Sequence, residues 1–115
     1  MTLRNMASLT AGERRAIEQF KNGVESLLGG NLVALRLFGS RARNEGTEES
    51  DLDVLVIVRQ KTPQLCRRIV EVALDCDLAY DTNLAPTILT VDEYQRNREY
   101  QTPFYLNVER EGQAI

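Results

Sequence analysis

Histidine is absent from this chain of 115 residues, which removes Ser-His triads, histidine general bases and imidazole metal sites at once. With no histidine and only two cysteines, a metal site here has to be built from carboxylates, and that selects a hard cation such as Mg²⁺. Cys66 and Cys76 lie in one helical stretch. At about 100° per residue they point to different faces, so they are expected to remain unpaired as small buried fillers. Long apolar runs are also missing. The longest, Val54 to Val58, is far too short to span a bilayer. The residues after Met1 hold no apolar signal core, so a cytoplasmic location without membrane attachment is expected. Nor is there an excess of basic charge: 14 Lys+Arg against 17 Asp+Glu leave a net charge of −3, which argues against direct nucleic-acid binding. What is present is ordinary for a globular chain, 43% hydrophobic and 27% charged. The length suits a single domain over residues 1–115.

The first ten residues read as a loose lead-in. Thr10 and Glu13 then form a capping box for a helix over about 11–28, with Ile17, Phe20, Val24, Leu27 and Leu28 at helical spacing. Gly29-Gly30 stops it. Leu32 to Phe38 predicts a strand with Val33, Leu35 and Leu37 on one face and Leu32, Ala34, Arg36 and Phe38 on the other. Asp51 to Val58 predicts a second strand, apolar enough to be central. Thr62-Pro63 opens a helix ending near Asp81, with a stripe of Leu65, Ile69, Val72, Ala73, Cys76 and Ala79. Leu84 to Leu89 predicts an edge strand, because Pro86 cannot donate to a ladder. A second capping box, Thr90 and Glu93, starts a short helix through about Arg98. The tail from Thr102 reads as a turn, a short helix and a final extended piece. This order predicts an α/β fold with a small mixed sheet flanked by helices.

Chemistry concentrates between residues 38 and 53. A strand runs into Gly39, whose missing side chain lets a ligand approach the backbone. Ser40 offers a hydroxyl, and Arg41 and Arg43 offer fork-shaped contacts to phosphate oxygens. Asp51 and Asp53 stand two apart at the head of a strand, so both carboxylates leave on one face, with Cα atoms roughly 6–7 Å apart. Two such charges repel, and a divalent cation resolves the conflict. Taken singly, each feature has an ordinary explanation: a strand-to-loop turn, a solvated strand entrance, or arginines offsetting Glu45, Glu48 and Glu49. In this order behind a strand, they point jointly to a phosphate cradle and a Mg²⁺ grip.

This segment resembles the nucleotidyltransferase superfamily related to DNA polymerase β, marked by Gly-Ser, an arginine-bearing stretch and Asp-x-Asp leading an apolar strand. The short length and the closing Thr102-Pro103-Phe104-Tyr105-Leu106-Asn107-Val108-Glu109-Arg110-Glu111-Gly112 resemble the minimal nucleotidyltransferases. The resemblance implies a polymerase β-like fold and Mg²⁺-dependent transfer of AMP from ATP to an acceptor hydroxyl. Asp51 and Asp53 would be catalytic and metal-binding, and Gly39, Ser40, Arg41 and Arg43 would hold the nucleotide. It further implies a role as antitoxin toward a HEPN-domain toxin, whose tyrosine would be the acceptor; a homo-oligomer is also compatible. Two positions depart from the pattern: Asn44 replaces a common glycine, and Leu84 to Leu89 lacks the third carboxylate usual on a neighbouring strand. Asp81, Asp92 and Glu93 flank that strand but read as helix-end or capping residues. The alternative expectation is a degenerate nucleotide-binding module that neutralises its partner by contact, with Phe104-Tyr105 as either a docking patch or core packing.

Overall fold

The computed structural model describes residues 9–39 and 51–115. The lead-in over 1–8 and the loop holding Ser40, Arg41, Arg43 and Asn44 lie outside the described residues. The elements follow in the order α1 (Ala11–Leu28), a single 3-10 turn (Gly29–Asn31), β1 (Leu32–Phe38), β2 (Leu52–Val58), α2 (Pro63–Tyr80), β3 (Leu84–Thr90), α3 (Val91–Glu99), α4 (Pro103–Glu111) and β4 (Gln113–Ala114). The four strands form one mixed sheet in the order β3-β2-β1-β4. β1 runs antiparallel to both β2 and β4, and β2 runs parallel to β3. This is the expected α/β architecture, with β2 central and the proline-bearing β3 at an edge.

Local chemistry sets the helix ends. The Thr10 hydroxyl accepts from the Glu13 N–H at 3.0 Å while the Glu13 carboxylate accepts from the Thr10 N–H at 2.9 Å. Thr90 and Glu93 repeat the reciprocal pair at 3.1 and 2.9 Å. Each box satisfies amides that the first helical turn leaves without partners. Leu9, placed in the lead-in on sequence grounds, is instead buried in the core.

Two layers of helix cover the sheet. On one face α1 (Ile17, Phe20, Val24) and α2 (Ile69, Ala73, Cys76) pack on Leu35, Leu37, Val54 and Val56. On the other, α3 and α4 supply Tyr94, Phe104 and Val108 against Leu55, Ile57 and Phe38. β2 is therefore enclosed on both sides, which explains its unbroken apolar run. Ala79, expected in the buried stripe of α2, is exposed. Leu32 also departs from simple alternation: the pairing slips between Leu32 and Ala34, leaving Val33 as an extra residue. That bulge turns Leu32 toward the α1 side, where it packs against the larger core. Both cysteines are free, Cys76 buried and Cys66 half-buried. Among the described residues, no helix is long and apolar enough to cross a membrane.

Asp77 ties the end of α2 to β3. Its Oδ1 accepts from the Thr82 hydroxyl at 2.7 Å and from the Leu84 N–H at 2.9 Å. One residue earlier, the Asn83 carbonyl accepts from the Leu52 N–H at 2.8 Å and opens the parallel ladder. The start of β2, and hence of the acidic segment, is thus fixed by the loop that Asp77 holds. Asp77→Ala is expected to cost about 1–3 kcal/mol, because two donors lose a charged acceptor. Urea unfolding checks this, and an unchanged midpoint would contradict it.

Candidate functional site

The site forms where β1 ends and β2 begins. Phe38 and Asp53 are direct partners across the antiparallel pair, so their side chains leave on the same face. Gly39 follows with φ of +82°, a left-handed conformation that costs a side-chain-bearing residue about 1–2 kcal/mol. A Cβ at this position would also run into the Asp53 carboxylate and oblige it to move aside. The glycine turn and the second aspartate are therefore in direct contact. Asp51 stands exposed, just ahead of the strand, and Asp53 is half-buried.

Burial pushes the Asp53 carboxyl above its ordinary range, and the neighbouring Asp51 carboxylate pushes it further in the same direction. The anion at Asp53 is thus destabilised both by lost hydration and by a like charge. A divalent cation would relieve both effects, and two carboxylates offer the hard oxygen donors that Mg²⁺ prefers. The residues present fit such an ion. Among the described residues there is no group of three or more acids or thiols able to hold a metal. On β3 the register places Ala85 beside Asp53 and Thr87 beside Leu55, so neither near position on that face carries an acid. Among the acids flanking β3, Glu93 closes the capping box of α3, Asp92 lies in the first turn of that helix, and Asp81 caps α2 through its backbone N–H.

Aromatic packing continues outward from Phe38, the cross-strand neighbour of Asp53. Phe104 meets Phe38 edge-on with ring centroids 5.5 Å apart, and Tyr105 lies 5.4 Å from Tyr94. Phe104 thus packs against the smaller core, while Tyr105 is half-buried beside Tyr94. Beyond it lies a polar cluster that sequence reasoning missed. Glu109 on α4 pairs with Arg36 of β1 at 2.5 Å and accepts from the Tyr94 hydroxyl at 3.1 Å and the Tyr105 hydroxyl at 3.4 Å. The bond from Arg36 holds the Glu109 carboxyl below its ordinary range. Burial, then the facing Glu109 charge, pushes the Tyr94 hydroxyl up to about 12. The only signal in the sequence was an arginine inside an otherwise apolar strand. The cluster fastens α3 and α4 to the sheet.

A model of the nucleotidyltransferase domain matches residues 17–109. The chain belongs to the nucleotidyltransferase domain family. Nucleotidyltransferases act on a nucleotide substrate and in general use a divalent metal, which agrees with the donor set at Asp51 and Asp53. Over 73 residues the chain is 37% identical to a candidate protein adenylyltransferase of Methanocaldococcus jannaschii, spanning 63% of this chain and 74% of that protein. A second candidate protein adenylyltransferase of the same organism is 44% identical over 45 residues, spanning 39% of this chain and 45% of the relative. Among solved structures, one chain of the toxin–antitoxin complex MntA–HpeT superposes with a TM-score of 0.49 at 23% identity, covering 83% of this chain and 70% of that one. A candidate nucleotidyltransferase from Sulfolobus solfataricus gives 0.45 at 22% identity, covering 80% and 85%.

The raised Asp53 pKa makes a stability prediction. The unfolded chain releases this proton at lower pH than the native one does. Between the two values the native state binds more protons, so stability falls as pH rises through that window and stays lower above it. In EDTA, Asp53→Asn is expected to melt above the unsubstituted protein at neutral pH, with the gain fading as pH falls toward the ordinary aspartate value of 3.8. A gain of equal size at both ends of the range would contradict the account.

Proposed function

We propose that this nucleotidyltransferase moves AMP from ATP onto a hydroxyl of a protein acceptor, a tyrosine of a partner HEPN toxin, and so acts as an antitoxin. The observation that carries the reading is the Asp53 carboxylate packed against Gly39, with Asp51 beside it. It sets two acids beside the glycine turn that ends β1. Similarity to the candidate protein adenylyltransferases supports a protein acceptor, and the resemblance to minimal nucleotidyltransferases supports a toxin as that protein.

In this reading Gly39, Ser40, Arg41 and Arg43 hold the triphosphate, the arginines offsetting charge on its oxygens. Asp51 and Asp53 hold Mg²⁺, which when bound neutralises charge on the α-phosphate and the departing pyrophosphate. The acceptor oxygen forms a bond to the α-phosphorus, the bond to the β-phosphate oxygen breaks, and pyrophosphate leaves with that electron pair. The hydroxyl proton goes to Asp53 or to a base on the partner. Orientation and charge neutralisation supply most of the acceleration, as in phosphoryl transfer generally.

A second reading has its own observation. Ala85 and Thr87 occupy the β3 positions nearest Asp53 on its face, so no third carboxylate assists there. This favours a module that binds nucleotide and neutralises a partner by contact alone. One experiment separates the two readings. The chain is incubated with the product of its neighbouring gene, ATP and Mg²⁺, and the partner is weighed by mass spectrometry. Transfer predicts a partner heavier by one AMP or more; a complex without added mass supports the module. Asp53→Asn is expected to lower transfer by at least about 100-fold, the scale lost with one preorganised electrostatic group, while keeping its circular dichroism. Undiminished transfer by that folded variant would remove the acid pair from the reaction.

A further inference from the structure

Helix α2 carries a second apolar stripe on the side facing away from the sheet. Val70, Leu74 and Leu78 are 42%, 54% and 85% exposed, and their spacing of four residues stacks them along one line of the helix. The buried contacts of α2 come from Ile69, Ala73 and Cys76 on the other side, so the stripe takes no part in the core. Three large apolar side chains aligned on one helix face form a contiguous patch of the kind that marks an interaction surface.

The charges at the ends of this stripe say what covers it. Arg67 lies seven residues before Leu74 and Asp81 seven after it, each about 10 Å along the axis from the central leucine. Both are exposed, and neither has an ion pair among the described residues. Turned end for end about Leu74, the face is complementary to itself: Arg67 meets Asp81, Val70 meets Leu78, and Leu74 meets its own copy. Such self-matching is what a two-fold interface requires. Among the other acids of α2, Glu71 and Asp75 are exposed and share one flank of the stripe, about 60° and 100° round from Leu74, where like charge across the two-fold weakens the pairing. Glu71 and Asp77 mirror each other in sequence but lie on opposite flanks of the stripe, about 120° apart around the helix. Asp77 is moreover engaged by Thr82 and Leu84.

We propose that two copies of this chain pair through α2, antiparallel about Leu74, with paired Arg67–Asp81 contacts at both ends. The face lies across the sheet from Asp53, so pairing leaves the acid pair open to a nucleotide and an acceptor. A single helix pair buries less than the ~1,200–2,000 Å² of a stable complex, so the dimer is expected to form with rising concentration rather than to be permanent.

Sedimentation velocity on the full chain, from low to high micromolar concentration, tests this. The unsubstituted protein should shift from monomer toward dimer, and Leu74→Glu should remain monomeric because two carboxylates would meet at the two-fold. Arg67→Glu and Asp81→Lys should each weaken association about tenfold or more, since each creates like-charge contacts at both ends. Their equimolar mixture should recover the dimer, because every end contact then pairs opposite charges. Thermal midpoints confirm that the variants fold, and neither Leu74→Glu nor Arg67→Glu touches the helix cap. The proposal is overturned by a monomeric unsubstituted chain at every concentration, by a Leu74→Glu dimer of unchanged strength, or by a mixture no tighter than its components. A monomer that instead collects on vesicles or on another protein counts against it equally.

Discussion

At the end of β1 the chain turns with a positive φ, and the space a side chain would take at Gly39 is filled by the carboxylate of Asp53. That contact constrains everything around it. It rests on glycine at one position and on an antiparallel register that sets Phe38 opposite Asp53. It also requires a β2 anchored firmly enough to hold a half-buried acid beside a second one. The anchoring comes from Leu52, Val54 and Val56 in the larger core and from Leu55 and Ile57 in the smaller. A strand enclosed on both faces presents its first residues rigidly at the rim, which is where a preorganised site belongs.

The acid pair is therefore a cost that the fold carries. Burial and like charge both disfavour ionised Asp53, and nothing among the described residues supplies a compensating basic partner to it. Structural acids elsewhere in this chain look different. Asp77 accepts from two donors, and Glu109 is matched by Arg36. Glu93 takes an ion pair from Lys61 at 2.7 Å together with its cap. The contrast sets Asp53 apart from the acids that hold the fold.

Much of this was legible in the chain because it is local. The capping boxes at Thr10 and Thr90, the proline start of α2 and the apolar run of β2 each fix structure within a few residues. The glycine and the two aspartates could be read as one site because a strand, a turn and a strand were predicted around them. What the sequence could not show depends on distant pairing. The bulge at Val33 reverses the face of Leu32, and period-two alternation cannot foresee an extra residue. Arg36 and Glu109 are 73 residues apart, and only the docking of α4 across the sheet brings them together. That Asp53 would fill the very space of the missing Gly39 side chain needed the register as well as the motif. Ser40, Arg41 and Arg43 lie outside the described residues, and the nucleotide contacts proposed for them come from the sequence.

The central claim is that Asp51 and Asp53 hold a divalent ion beside the Gly39 turn when nucleotide is bound. Crystals grown with Mn²⁺ and a non-hydrolysable ATP analogue test it most directly, through the anomalous signal of the metal. The account predicts a peak in contact with both carboxylates and with the analogue's phosphates next to Gly39. Well-ordered analogue with the metal elsewhere, or with Asp53 turned away from Gly39, would contradict it.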